Sequence, residues 1–155
     1  MPNQQTSESK SRDKPLILAA DNNEDNLLLI DYIAKVKNCR SVFANSGEQV
    51  LLLAKQLLPN LISIEIMLED MSGLEVIRHL KEDPMTQNIP IVAVTSFASV
   101  EKQKMIYKAG CDAYLTKPYL FEDLEAKIDY YIHKVNLDLF EAEIRDVESE
   151  PERLV

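Results

Sequence analysis

The chain has no tryptophan, only three glycines and two cysteines, and no apolar run of the ~18 residues that a membrane helix needs. Because Gly47, Gly73 and Gly110 lie far apart, the chain contains no GxGxxG phosphate-binding loop, which argues against nucleotide-cofactor binding. Cys39 and Cys111 are too few for a disulfide framework and stand in no CxxC or Cys/His spacing. We interpret them as packed, reduced thiols, with redox sensing as the minor alternative.

The opening residues are polar and contain no apolar segment of signal-peptide type. A chain of 155 residues with 46% hydrophobic and 28% charged residues has the composition of a single globular domain. These features predict a cytoplasmic protein without a membrane segment. The net charge of −9 argues against nucleic acid as a partner, because phosphates attract basic surfaces.

Short apolar runs alternate with longer amphipathic stretches from residue 16 onward. Such repeats predict parallel strands joined by right-handed crossovers, with helices on both faces of the sheet. The predicted fold is therefore a doubly wound α/β sandwich with a five-stranded parallel sheet. The predicted strands cover 16–20, 41–45, 61–66, 91–96 and 112–116, and the predicted helices cover 25–37, 47–57, 73–82, 99–109 and the residues from 121 onward.

Polar side chains follow four of these strands at their carboxyl ends. In an open parallel sheet those ends converge on a crevice, which is where ligands and chemistry are expected. Two acids, a hydroxyl and a lysine from different strands are hard to explain as unrelated loop residues. The set comprises Asp21, Asn22 and Asn23 after the first strand, Glu65 after the third, Thr95 and Ser96 after the fourth, and Lys117 and Pro118 after the fifth.

Four motifs carry a family resemblance: ILAADNNEDN, EIMLEDMSGLEVIRHLK, IPIVAVTS and GCDAYLTKP. Together and in this order they closely resemble the receiver domain of two-component response regulators, over roughly residues 15–133. The resemblance implies the flavodoxin-like receiver fold. In that family an acidic pair after the first strand holds Mg²⁺, and an aspartate after the third strand accepts a phosphoryl group.

The resemblance also implies roles for individual residues of this chain. Asp21 matches the first acid of the metal-binding pair, and Thr95 matches the hydroxyl that binds phosphoryl oxygens. Lys117 matches the lysine that binds those oxygens, and Pro118 is expected to follow a cis peptide. Tyr114 matches an aromatic residue whose rotamer changes with the active state.

Two positions of the site depart from the family pattern, and a third lies in the adjoining loop. Asn22 stands in place of the second acid, Glu65 stands in place of the phosphoacceptor aspartate, and Glu69 replaces a common proline. Because Mg²⁺ prefers hard, charged oxygen ligands, losing one acid predicts weak binding through Asp21 and no resident cofactor. Glu65 carries its carboxylate further into the pocket, away from the in-line geometry of phosphoryl transfer, and within reach of Lys117.

We therefore predict a stand-alone, degenerate receiver, or pseudo-receiver, which is not an enzyme and binds a signalling protein without aspartyl phosphorylation. Its partner would be a histidine kinase, a phosphotransfer protein or a downstream regulator. The alternative is a working receiver phosphorylated at an unorthodox residue such as Asp21. A phosphatase with an aspartate nucleophile is disfavoured, because Asp21-Asn22-Asn23 lacks the second aspartate of a DxDxT-like motif.

The resemblance implies that the partner docks on the face formed by helix four, strand five and helix five, where Tyr107, Lys108, Tyr114 and Tyr119 lie. Apolar residues continue at helical spacing to Val147. We predict a disordered polar segment at 1–14, a receiver-like domain at 15–135 and an acidic amphipathic extension at 136–155. That extension is either a solvated continuation of helix five or a helix that docks a partner or forms a homodimer.

Overall fold

The computed structural model describes residues 14–96 and 99–148, with the side chains at 135–140, 142 and 146–148 left out. The predicted disordered segment therefore lies outside the described residues except for its last position. The end of the acidic extension, residues 149–155, lies outside them as well. None of the helices described is both long enough and apolar enough to span a membrane.

Strands and helices alternate along the described chain as the apolar pattern predicts. Every predicted boundary agrees with the structure to within one residue. The strands are β1 (Leu16–Ala20), β2 (Arg40–Ala44), β3 (Leu61–Glu65), β4 (Ile91–Thr95) and β5 (Ala113–Thr116), and the helices are α1 (Glu24–Val36), α2 (Gly47–Leu57), α3 (Gly73–Glu82), α4 (Val100–Ala109) and α5 (Phe121–Glu148).

Side-chain caps fix where the first four helices begin. Asn23, Ser46, Ser72 and Ser99 each accept a hydrogen bond from a backbone N–H of the first turn that follows. Gly110 ends α4 at a φ of 110°, a left-handed conformation that glycine adopts without steric cost. The polar residues between apolar runs thus set where these helices begin, with two to seven residues between a strand and the helix that follows it.

All five strands are parallel and lie in the order β2-β1-β3-β4-β5. This order confirms the predicted five-stranded doubly wound fold of the flavodoxin-like type. The chain reverses its direction of winding between β1 and β3, and in such folds a crevice opens at that switch point beside the carboxyl ends of the strands. Asp21 and Glu65 lie on either side of it.

The core consists of two layers, one on each face of the sheet. The three central strands β1, β3 and β4 are buried throughout because their side chains alternate between the two layers, whereas the edge strands β2 and β5 are partly exposed. One layer contains Val50 and Ala54 of α2, Val76, Ile77 and Leu80 of α3, and Ile106 and Ala109 of α4. The other contains Ile30, Ile33 and Ala34 of α1, and Leu124, Ile128 and Ile132 of α5.

Helix α5 continues well past the part that packs on the sheet. Its buried residues recur every four positions as far as Ile132. Beyond that point the described side chains, those of His133, Lys134, Glu141 and Ile144 among them, are exposed. The predicted helical extension is thus a direct continuation of α5, while its docking role and the predicted domain boundaries stay predictions.

Candidate functional site

A cleft of about 410 Å³ opens at the carboxyl ends of β1, β3, β4 and β5. Polar residues predicted from four strand ends meet here because parallel strands of matched length place their last residues at one edge of the sheet. The lining residues are Asp21, Asn22, Asn23, Glu65, Met67, Ser96 and Lys117.

The ammonium group of Lys117 lies between two carboxylates. Its Nζ is 2.6 Å from Glu65 Oε2 and 3.0 Å from Asp21 Oδ2. The two acidic side chains are only 5% and 6% exposed, whereas that of Lys117 is 21% exposed. Apart from this ion pair, Glu65 Oε2 has no hydrogen-bond partner among the described residues. One cation therefore faces two buried anions, and the cleft keeps a net negative charge.

The pKa of Lys117 shows how strongly these groups interact. Burial on its own lowers the pKa of the ammonium, because the charged form loses solvent. The hydrogen bonds and charges of Glu65 and Asp21 outweigh that effect and raise the pKa above its ordinary value of 10.5. Lys117 is therefore protonated at neutral pH and is already engaged by protein carboxylates.

Asp21 is held by neighbours on both of its oxygens. Oδ1 accepts a hydrogen bond from the Asn23 N–H at 2.9 Å, and Oδ2 accepts one from Asn26 Nδ2 at 3.2 Å. Asn26 Oδ1 in turn accepts the hydroxyl of Tyr119 at 3.3 Å, and burial raises the pKa of that tyrosine. The start of α1 thus fixes the Asp21 carboxylate against Lys117.

The backbone of Met67, two residues after β3, connects the remaining cleft residues. Its N–H donates to Glu65 Oε1 at 3.2 Å, and its carbonyl oxygen accepts the side-chain amide of Asn22. The extra methylene of Glu65 therefore lets one carboxylate oxygen reach Met67 while the other reaches Lys117.

The loop 66–72 after β3 is also attached to α2. Asp70 Oδ1 and Oδ2 accept the N–H groups of Gly47 and Glu48 at 2.8 and 3.0 Å, which lowers the pKa of this carboxyl. Gly73 follows the loop where no side chain fits, since a Cβ there would lie 2.6 Å from the Glu65 carbonyl oxygen. The loop is consequently tied to β1, β3 and α2 at separate points.

The other predicted site residues lie around this centre. Thr95 is the last residue of β4 and is 1% exposed, and Ser96 follows it on the cleft wall. The peptide between Lys117 and Pro118 is cis, as the resemblance implies. Tyr114 lies apart from the cleft, in a groove of α4, β5 and α5.

Sequence reasoning missed the contacts of Met67, Asn26 and Asp70. Met67 acts through backbone atoms, for which side-chain identity gives no signal. Asn26 could have been found, because an Asn three residues after the N-cap Asn23 lies in the first turn of α1 beside the strand end. Asp70 is one of two adjacent acids in an exposed loop, and nothing in the sequence indicates which of them meets a helix.

Comparison with known proteins shows the family of this chain. A family model for the response regulator receiver domain matches residues 17–129. The chain belongs to the response regulator receiver family. The polar-differentiation response regulator DivK of Brucella ovis is 35% identical over 102 residues, which are 66% of this chain and 83% of that protein. Membership places this receiver in two-component signalling, and the resemblance in the sequence is confirmed to that extent.

Solved receiver structures agree with this fold. The CheY-like receiver domain protein of Methanospirillum hungatei is 25% identical, with a TM-score of 0.73 over 81% of this chain and 98% of that one. The receiver domain of the sensor histidine kinase PA1611 of Pseudomonas aeruginosa has a TM-score of 0.70 over 77% and 98%, at 22% identity. That protein holds a magnesium ion in its active-site cleft.

Proposed function

We propose that this receiver is a cytoplasmic pseudo-receiver, an interaction module of two-component phosphorelay signalling that works without aspartyl phosphorylation. The observation that carries the proposal is the 2.6 Å contact between the Glu65 carboxylate and Lys117. Family resemblance gives Lys117 the role of binding the phosphoryl group. Here a side chain of the protein itself provides that anion.

The position of the Glu65 carboxylate also argues against phosphoryl transfer. Its Oε2 is occupied by Lys117 and its Oε1 by the Met67 N–H, so neither oxygen is free to attack a donor. Phosphoryl transfer depends on in-line placement of the attacking oxygen and on charge neutralisation by metal. Both conditions are weakened when the nucleophile is longer by one methylene and paired with the lysine.

The alternative phosphoacceptor, Asp21, is less suited still. Its two oxygens accept hydrogen bonds from Asn23 and Asn26 and both lie within 3.2 Å of Lys117. A carboxylate engaged in this way loses several interactions before it can act as a nucleophile. The proposal therefore assigns Asp21 to positioning of Lys117.

The partner surface in this proposal is the face of α4, β5 and α5. A groove of about 920 Å³ runs along it and is lined by several tyrosines. The rings of Tyr107 and Tyr114 meet edge to face with centroids 5.6 Å apart. Tyrosines supply large contact areas and a polar tip at interfaces, which supports docking of a signalling protein there. Tyr114 also packs against the core layer of α2, α3 and α4.

Incubation with acetyl phosphate and Mg²⁺, followed by intact-mass measurement, tests the proposal. We expect no added phosphoryl group on the wild-type protein. The combined variant Asn22→Asp and Glu65→Asp restores the acid pair and the shorter nucleophile, and should take up one phosphoryl group. Each single variant should take up less.

The matched control is the combined variant with Lys117→Ala added, which should lose most of the restored uptake. A phosphoryl group found on the wild-type protein, and absent from Asp21→Asn, would instead establish the alternative receiver phosphorylated at Asp21.

A further inference from the structure

The two departures from the receiver pattern meet at one backbone residue. Asn22 and Glu65 come from different strands, yet the first donates to the Met67 carbonyl oxygen and the second accepts the Met67 N–H. Met67 itself is half exposed and uses only its backbone in these contacts. The substitutions therefore form one connected arrangement rather than two separate losses.

The hydrogen bond between Asn22 and Met67 does not suit a magnesium site, because the side chain of Asn22 presents an N–H group to the Met67 carbonyl oxygen. A backbone carbonyl oxygen only accepts hydrogen bonds, so the Asn22 amide must turn its NH₂ group toward Met67. An NH₂ group is not a ligand for Mg²⁺, which takes oxygen ligands in near-octahedral order. The Lys117 ammonium meanwhile contacts both carboxylates of the cleft. Within the described residues no three acidic, histidine or cysteine side chains are grouped to hold a metal.

We infer that the Asn22 amide and the Lys117 ammonium together replace a divalent cation, and that Asn22 is a positioning residue that holds the loop 66–72 without metal. Asn22 connects the end of β1 to the loop, and Lys117 connects the ends of β1, β3 and β5. The Met67 carbonyl oxygen and the carboxylates of Asp21 and Glu65 are the oxygen groups that a cation in the cleft would otherwise attract.

The rest of the loop is arranged to keep this position. The Gly73 N–H donates to the Ile66 carbonyl oxygen at 2.8 Å, and Met67 forms an isolated bridge with Ser72. Asp70 caps α2 at the far side. Hydrogen bonds within the loop and to α2 hold its far side. The Asn22 contact holds the part next to the cleft, at Met67.

The Asn22 contact lies in the cleft on which the proposed function rests, but a different measurement tests each of them. Phosphoryl uptake is read by mass, whereas the Asn22 contact is read by thermal stability and by hydrogen exchange of the loop. A protein that accepted a phosphoryl group could still hold its loop through Asn22, and a protein without phosphorylation could still bind Mg²⁺.

The test compares melting temperatures of four full-length proteins in EDTA and in ~10 mM Mg²⁺, with matched NaCl, since a ligand stabilises only in proportion to RT ln(1 + [L]/Kd). The proteins are the wild type, Asn22→Asp, Asn22→Ala and Asn23→Asp. Asn22 and Asn23 are both exposed, so the variants should fold. Asn23→Asp adds the same charge to the cleft and keeps the cap of α1, because aspartate also accepts the Asp25 N–H.

In Mg²⁺ the wild type should gain less than about 1 °C. Asn22→Asp should melt roughly 3–6 °C lower in EDTA, because a carboxylate faces the Met67 carbonyl, and should recover at least half of that loss in Mg²⁺. Asn22→Ala should melt lower by roughly 2–5 °C and recover nothing. Asn23→Asp should resemble the wild type in both conditions.

Hydrogen exchange gives a second readout. The peptide covering the loop should exchange several-fold faster in Asn22→Asp and Asn22→Ala, and Mg²⁺ should slow it in Asn22→Asp alone. A wild-type protein stabilised by Mg²⁺ beyond the NaCl control would overturn the inference. So would equal Mg²⁺ responses of Asn22→Asp and Asn23→Asp, or unchanged loop exchange in Asn22→Ala.

Discussion

Two lysines with nearly the same exposure lie at opposite ends of this sheet. The Lys81 side chain, at the amino ends of β4 and β5, is 20% exposed, and that of Lys117, at the carboxyl ends, is 21% exposed. Lys81 donates to the carbonyl oxygens of Gln87 and Ile89 and pairs with Asp112 at 3.3 Å. Lys117 contacts two carboxylates instead.

The acids differ more than the lysines. The Asp112 side chain is 37% exposed, and one of its oxygens also accepts the Ile91 N–H at 2.7 Å. The two acids facing Lys117 are almost fully buried and outnumber it. At the amino end a single charge pair, shared with backbone groups and solvent, joins α3 to the strands. At the carboxyl end the fold retains excess buried negative charge, an arrangement that contributes little to stability and is characteristic of a functional site.

The largest expected difference between the two ends is in the cost of removing each lysine. Lys117→Ala leaves Asp21 and Glu65 buried without a cation and should reduce the free energy of unfolding by ~2–4 kcal/mol, near the lower range for broken buried pairs. Lys81→Ala should cost about 1 kcal/mol, because Asp112 reaches solvent and keeps its backbone partner. Urea unfolding at neutral pH measures both.

Lys117→Arg serves as the control at the carboxyl end, since it keeps the positive charge, and it should cost less than Lys117→Ala. Equal costs for Lys117→Ala and Lys81→Ala would show that the excess buried charge has no energetic consequence.

A smaller difference is expected in alkali. Although burial alone lowers the pKa of Lys117, Glu65 and Asp21 raise it overall above 10.5, so the folded state holds this proton more tightly than the unfolded state. The stability it contributes is complete below pH 10.5 and is lost as the pH rises through the raised pKa. As the pH rises above 10.5 the wild type should therefore lose more stability than Lys117→Arg, whose guanidinium stays protonated.

Chemical denaturation across that pH range checks this expectation. The pKa of Tyr119 is raised by burial and lowered by the charge of Lys117, so both proteins also carry Tyr119→Phe to keep its deprotonation out of the comparison. Parallel curves for the wild type and Lys117→Arg would contradict it.

The smallest expected effect concerns Asp70, an exposed carboxylate at the carboxyl end of the sheet. Like Asp112 at the amino end, it accepts hydrogen bonds from backbone N–H groups. The N–H groups of Gly47 and Glu48 lower its pKa below the ordinary 3.8. Its contribution is therefore present above pH 3.8 and is lost as the pH falls through the lowered pKa.

Asp70→Asn should consequently be slightly less stable than the wild type at pH 7, with the gap closing in acid. Urea midpoints at pH 7 and near pH 3 measure the change. A gap that persists unchanged in acid would assign the effect to packing of the loop rather than to the charge.

The sequence determined the order and bounds of the strands and helices, because apolar periodicity and capping residues are local properties. It also placed Glu65 within reach of Lys117, since the carboxyl ends of parallel strands converge by rule. The departures at Asn22 and Glu65 could be recognised from residue identity alone. Their chemical meaning could not, because it depends on which atoms each side chain meets.

The contacts that these side chains form depend on the tertiary structure. Lys117 was expected to pair with Glu65, but its second pair, with Asp21, depends on the turn into α1 that Asn23 and Asn26 fix. The Asn22 contact depends on the path of the Met67 backbone, which the anchoring of loop 66–72 on α2 sets. Hydrogen bonds and ion pairs change over a few tenths of an ångström, a scale fixed by packing between distant segments and not by the identity of neighbours along the chain.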